Sequence, residues 1–188
     1  MKFGLTFLRA VIGALFFGHG TQKLYGWFGG HGLEGTGQFF ESLGLRPGRK
    51  HATAAGAAEA AGGVALALGL FTPAAAATLI GVMSQAIRTV HLKNGPWASD
   101  GGYEYNLALI ATLVALADVG PGHVSLDHAL GIELNGPLVA VLALAGGVAG
   151  ATLVTRSDQN TPSGAGPLPG DPASASTPAD PTAATTPA

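Results

Sequence analysis

ATAAGAAEAAGGVALALGLFTPAAAATLIGVMSQAIRTVH, residues 52–91, decides the fold class of this chain. Two apolar windows, 52–71 and 74–91, meet at Thr72-Pro73 with no polar linker between them. Each is close to the roughly 20 residues, at about 1.5 Å apiece, that carry an α-helix across a bilayer. Pro73 suits the first position of the second helix, where its missing N–H costs nothing. The stretch therefore predicts a tight helical hairpin, and the rest of the chain can be read outward from it.

Three further windows are of the same kind: 5–27, 103–119 and 137–154. Between the first of these and the hairpin, residues 28–51 hold a Gly-rich link, an amphipathic stretch at 36–43 with Phe39, Phe40 and Leu43 on one side, and then Arg46, Pro47, Arg49 and Lys50. That pattern predicts a loop carrying one interfacial helix. A polar loop at 92–102 contains Trp97, and a second at 120–136 contains His123, Asp127, His128 and Glu133, the two histidines reading as ordinary loop residues. Beyond Arg156 the chain has seven of its twelve prolines, no Lys or Arg and a single Leu, so it is expected to be disordered. The expected organisation is a four-span membrane domain over 1–130, an additional span over 131–155 and a Pro/Ala/Thr-rich tail over 156–188. The fold class is all-α, a transmembrane helical bundle.

Composition agrees. Of 188 residues, 47% are apolar and only 11% charged, with Gly and Ala where a soluble core would use larger side chains. The net charge of −2 and the lack of a basic run with interleaved aromatics leave no footprint for nucleic acid. The absence of cysteine excludes disulfides, thiolate metal sites and dithiol electron transfer. Lys2 precedes a short apolar run, but Arg9 interrupts it and no small-x-small cleavage pattern follows, so a retained span is expected.

Antiparallel spans put the end of the first, the start of the second, the end of the third and the start of the fourth on one side. The unusual polar residues fall at those ends: His19, Gln22 and Lys23, then Glu59, then Gln85, Arg88 and His91, then Glu104, Tyr105 and Asn106. On the other side nothing comparable is found before Asp118. Four segments agreeing on one side predict a polar intramembrane pocket. Glu59 lies about two turns inside an apolar helix, where an unpaired carboxylate costs several kcal/mol. It must be protonated or paired, with Lys23 and Arg88 as the available cations. Gly56, Gly62 and Gly63 flank it and let a neighbouring helix come close.

Each residue also has a plainer reading. His19 can rest at a water boundary, Lys23 can snorkel, Glu104 can serve the helix dipole, and Trp27, Trp97, Tyr25, Tyr103 and Tyr105 can form an aromatic belt. No close pair of ligands on one helix suggests a metal, although His19, His91, Glu59 and Glu104 are the donors one would use, so no metal is expected. No flavin, nicotinamide or haem fingerprint occurs.

Several motifs together make the chain resemble the DoxX family of small multi-pass bacterial membrane proteins. They are Arg9, Gly-His-Gly-x-Gln-Lys at 18–23, Gly-Trp-Phe-Gly-Gly-x-Gly at 26–32, Leu-Gly-Leu-x-Pro at 43–47 and Glu59 followed by Gly62-Gly63. Further along come Leu-Gly-Leu-x-Thr at 68–72, Met83 with His91, Gly-Gly-x-Glu-Tyr-Asn at 101–106 and Gly-x-Gly-x-x-Ser-Leu-Asp at 120–127. The resemblance covers about residues 3–130 and implies a four-helix bundle in the plasma membrane. It also implies an oxidoreductase or oxidoreductase subunit linked to quinones and oxidative stress, with His19, Lys23, Glu59, His91, Glu104 and Tyr105 as the characteristic positions. The fifth span and the tail depart from that pattern.

The function expected is thus a plasma-membrane oxidoreductase, or a subunit of one, acting with a quinone-type molecule in the pocket. Glu59, His19, Lys23, His91 and Glu104 are the candidate catalytic groups, and Gln22, Trp27, Arg88, Tyr105 and Asn106 the candidate binding groups. The alternative is a non-catalytic membrane protein that binds a hydrophobic ligand or scaffolds a partner enzyme. The partners expected are the lipid bilayer, a redox protein and a second copy of the chain. Arg46, Arg49, Lys50, Lys93 and Arg156 against Lys2 and Arg9 place the pocket side and the tail in the cytoplasm by the positive-inside rule.

Overall fold

The computed structural model describes residues 3–132 and 134–159, except for the side chains of 155–159. Met1, Lys2, Glu133, the Arg156 side chain and residues 160–188 of the tail expected to be disordered lie outside that description. Seven helices account for most of the described chain, and no strand occurs among the described residues. They are α1 (Phe3–Tyr25), α2 (Gly32–Ser42), α3 (Gly48–Leu68), α4 (Thr72–Ala86), α5 (Glu104–Val119), the single turn α6 (Leu126–Ala129) and α7 (Pro137–Gln159).

The all-α bundle is as expected, with shifted boundaries that have local causes. Pro47 supplies the extended residue ahead of α3, so that helix starts at Gly48 and carries Arg49 and Lys50 in its first turn. The short interfacial helix, expected from 36, begins at Gly32. Past Ala86 the third window does not stay α-helical: it widens into a π-helical turn, Ile87–His91, and then a 3-10 turn, Leu92–Asn94. The last helix continues to Gln159, four residues beyond the expected start of the tail.

Helix α1 lies antiparallel along α3, and glycines set their separation. A Cβ on Gly13 would sit 2.5 Å from the Gly63 carbonyl oxygen, and one on Gly20 2.6 Å from that of Gly56. The glycines are seven apart on each helix, two turns, so the same face returns and the backbones touch at two levels. Gly62 points to the other neighbour, where its Cβ would meet Leu79 of α4. Helix α4 is packed against α3, α5 and α7, and α7 also lies on α5. Along α7 a ridge of small buried residues, Ala140, Ala143, Gly147 and Ala151, makes the approach. The fifth window is therefore part of the bundle.

The core between these helices is filled by Phe16, Leu66, Leu79, Ile80, Met83, Leu109, Leu113 and Leu116. The outward faces are apolar too: Phe3, Phe7, Val11 and Leu15 on α1, and Leu138, Val141, Leu142 and Val148 on α7, are exposed. A soluble bundle would cover those faces with charge. By length and apolarity together, α1 and residues 137–154 of α7 are able to cross a membrane. Helix α3 is 21 residues long but rich in Ala and Gly, while α4 and α5 have 15 and 16 residues.

Candidate functional site

Lys23 sits near the C-terminus of α1 and Glu59 in the middle of α3. Gly20 and Gly56 mark a common level in this antiparallel pair, so the two residues are three positions to either side of it, about 9 Å apart along the axis. Helical side chains lean toward their own N-terminus, and in antiparallel helices those directions oppose one another. Lys23 and Glu59 therefore lean together. Lys23 Nζ donates to Glu59 Oε2 at 2.5 Å. The carboxylate side chain is 3% exposed and the lysine 24%, so the ion pair is open to the surface on the lysine side. Of the two cations open to Glu59, Lys23 is the partner.

His19, one turn before Lys23, has its Nδ1 3.0 Å from Gln22 Oε1 and lies within electrostatic reach of Glu59. Gln22 in turn donates from Nε2 to the Phe28 carbonyl at 3.2 Å. That bond shapes the lip after α1, where Gly26 and Phe28 both take left-handed conformations. Trp27 and Tyr25 pack with their ring centroids 5.4 Å apart and their planes tilted by 38°, and both are more than half exposed. The structure thus brings His19, Gln22, Lys23 and Glu59 together on the α1/α3 seam.

The other expected site residues are engaged elsewhere. Arg88 donates from Nη1 to Thr152 Oγ1 of α7 at 2.8 Å, which joins α7 to the bundle. His91 Nδ1 lies 2.7 Å from the Gly101 carbonyl, which accepts and so fixes the proton on Nδ1. Glu104 Oε1 accepts the Ala98 N–H at 3.0 Å. These two bonds, with Asn94 on the same Gly101 carbonyl, hold the loop that presents the exposed Trp97. Asn106 is buried and donates to Met83 Sδ at 3.4 Å, while Tyr105 is half exposed. Two surface concavities lie away from all of them. One is an apolar groove lined by Phe17, Ala60, Ala61, Val64, Ala65, Leu68 and Leu70; the other is near His123 and His128. Among the described residues no three or more His, Cys, Asp or Glu gather as metal ligands.

The opposite end of the bundle holds a buried polar cluster where nothing comparable was expected. Arg9, 2% exposed, donates to the backbone carbonyls of Ala67, Pro121 and Val124. Asp127, equally buried, accepts the Phe71 N–H at 2.7 Å, the Thr72 N–H at 2.9 Å and the Thr72 hydroxyl at 2.8 Å. Phe71 offers no side-chain cap to α4, so a carboxylate 56 residues away supplies it. The signals were an arginine inside an apolar run and an aspartate two residues after Ser125. Neither names its partners, because all but the Thr72 hydroxyl are main-chain atoms.

The sequence pattern of the DoxX family matches residues 4–92, which include His19, Lys23, Glu59 and His91 and stop short of Glu104, Asp127 and α7. Among curated proteins, the chain is 38% identical over 130 residues to one named "Putative oxidoreductase CatD" from Bacillus subtilis (strain 168), an alignment spanning 67% of this chain and 86% of that protein. No solved structure matches.

Proposed function

This chain belongs to the DoxX family of membrane proteins, and from that premise we propose that it is an oxidoreductase, or a subunit of one, that works with a quinone-type molecule at the α1/α3 seam. The observation that carries the reading is the buried Lys23–Glu59 pair, open to the surface on the lysine side. Reduction of a quinone takes two electrons and two protons. Lys23 hydrogen-bonds a carbonyl oxygen and stabilises the charge that develops on it, His19, whose Nδ1–H is given to Gln22, accepts the hydroxyl of the quinol through Nε2, and Glu59 relays the two protons in turn from the lysine-side water. Electrons come from a partner redox protein or from a reduced substrate. His91 and Glu104 serve by holding the Trp97 loop. In this reading α3, α4 and α5 cross the bilayer with α1 and α7, and the Lys23 end faces the cytoplasm.

Binding of a short-tailed quinone to the full chain in lipid nanodiscs tests the site. Lys23→Met and Glu59→Gln are expected to weaken binding at least tenfold, and reduction of the quinone by thiosulfate or another electron donor to fall with it. Equal binding by Glu59→Gln and the parent chain would remove the site from the α1/α3 seam.

A second reading, a non-catalytic protein that binds a hydrophobic ligand or scaffolds an enzyme, draws on Arg88, His91 and Glu104. Each is committed to a neighbouring helix or loop, as structural polar groups would be. Intact quinone binding without turnover in any electron couple distinguishes it.

A further inference from the structure

A chain of hydrogen bonds joins His19 to the lip after α1, and a main-chain atom sets its direction. The Phe28 carbonyl can only accept, so the end of the Gln22 amide that meets it at 3.2 Å is the Nε2 amino group. The other end is then Oε1, which also can only accept, and it lies 3.0 Å from His19 Nδ1. That ring nitrogen therefore carries the proton. In the neutral ring the second nitrogen, Nε2, is left with a free lone pair.

The amide is held against turning over. A Cβ on Gly30 would lie 2.6 Å from Gln22 Cβ and 2.5 Å from the Gln22 carbonyl oxygen, so the loop backbone rests directly on this residue. The Gly26 N–H donates to the Gln22 carbonyl at 3.2 Å and the Gly30 N–H to the Trp27 carbonyl at 3.0 Å, which closes the turn at both ends. Phe28 sits at φ 52° and ψ 35°, a left-handed conformation strained for a residue with a side chain, and that turn aims its carbonyl back at Gln22. A reversed amide would set oxygen against oxygen there.

We infer, on the reading that a quinone binds at this seam, that Gln22 is a positioning residue that makes the site prefer the reduced form of its ligand. A quinone offers carbonyl oxygens, which only accept, whereas the hydroxyls of a quinol also donate. Lys23 can donate to the oxygen of either form. The His19 Nε2 lone pair takes a hydrogen bond from the quinol and only repels the quinone oxygen. Holding the product more tightly than the substrate makes the bound quinone easier to reduce. Each tenfold of preference raises the potential of a two-electron couple by about 30 mV.

Two measurements on the full chain in nanodiscs test this, and the first needs no ligand. Solid-state NMR of protein labelled at the histidine ring nitrogens reads the tautomer at about pH 8, above the ordinary histidine range. The His19 signal is identified by its absence from His19→Gln. The proton is expected on Nδ1 in the parent chain and shifted toward Nε2 in Gln22→Met, which keeps the side-chain length without its hydrogen bonds. In anaerobic titrations the parent chain should bind the hydroquinone of duroquinone at least threefold more tightly than duroquinone itself. That preference should collapse in Gln22→Met, chiefly through weaker hydroquinone binding. A proton on Nε2 in the parent chain, equal affinities for the two forms, or a Gln22→Met loss that strikes both forms alike would overturn the assignment. If neither form binds the parent chain, the quinone reading itself falls and the preference falls with it, whatever the ring proton shows.

Discussion

Gly20 of α1 and Gly56 of α3 stand so close that a Cβ on Gly20 would lie 2.6 Å from the Gly56 carbonyl oxygen. That contact fixes the register of the two helices, and the register sets Lys23 and Glu59 where their side chains meet across the seam.

Gly20→Ala should therefore push α1 and α3 apart. Overpacking of this kind costs about 1–3 kcal/mol. Gly18→Ala, on the same helix with nothing within 4 Å, should be neutral or gain up to about 1 kcal/mol of helix propensity. Thermal unfolding of the two variants in detergent gives the comparison, and equal melting temperatures would mean that the seam is not tight.

Removing one member of the ion pair leaves the other charge buried. Lys23→Met is expected to destabilise by about 3–5 kcal/mol, and adding Glu59→Leu should recover much of it. A double-mutant cycle measures the coupling. Additive losses would show that the two residues act independently.

Arg9→Met deprives three carbonyls of their donor, with the loop at 120–125 the first to loosen. Hydrogen exchange in residues 120–130 should quicken more than in α5. Asp127→Asn weakens the cap on α4 through a charged acceptor, at a cost of about 1.5–3 kcal/mol. Thr72→Ser, which keeps the hydroxyl, should cost less than Thr72→Val, which removes it. The two would be equal if Asp127 did not accept from Thr72.

Helix α7 meets α4 at Gly147, where a Cβ would lie 2.6 Å from the Ala77 carbonyl oxygen. Gly147→Leu should detach it and leave Arg88 without Thr152. A cysteine pair placed across α4 and α7 should then cross-link poorly, while Gly146→Leu, facing open space, should leave cross-linking intact.

What the sequence discloses depends on how local the cause is. The hairpin at Thr72-Pro73 and the short helix before it rest on periodicity and turn chemistry within a few residues, and both helical elements occur. Glu59 announced its need for a cation, and Lys23 was one of the two available. The choice between them depends on the helix register, which Gly13, Gly20, Gly56 and Gly63 set together and no single window reveals. The expected four-sided pocket rested on counting polar residues by side. Sharing a side does not bring His91 and Glu104 to Glu59, because their loop offers nearer backbone partners. Arg9 and Asp127 were least legible, since apart from the Thr72 hydroxyl their partners are main-chain carbonyls and N–H groups, which have no letter in the sequence.

The grip of Arg9 on the far loop bears on how the protein is made. Its carbonyl partners at Pro121 and Val124 lie 112 and 115 residues downstream. At about 5–20 residues per second of synthesis, the guanidinium of the first segment waits on the order of ten seconds before those acceptors leave the ribosome. During that interval it must stay wet or be sheltered by the insertion machinery. The packing of α1 against the rest of the bundle can therefore be completed only after α5 and the loop behind it have emerged, which makes the order of synthesis part of the assembly.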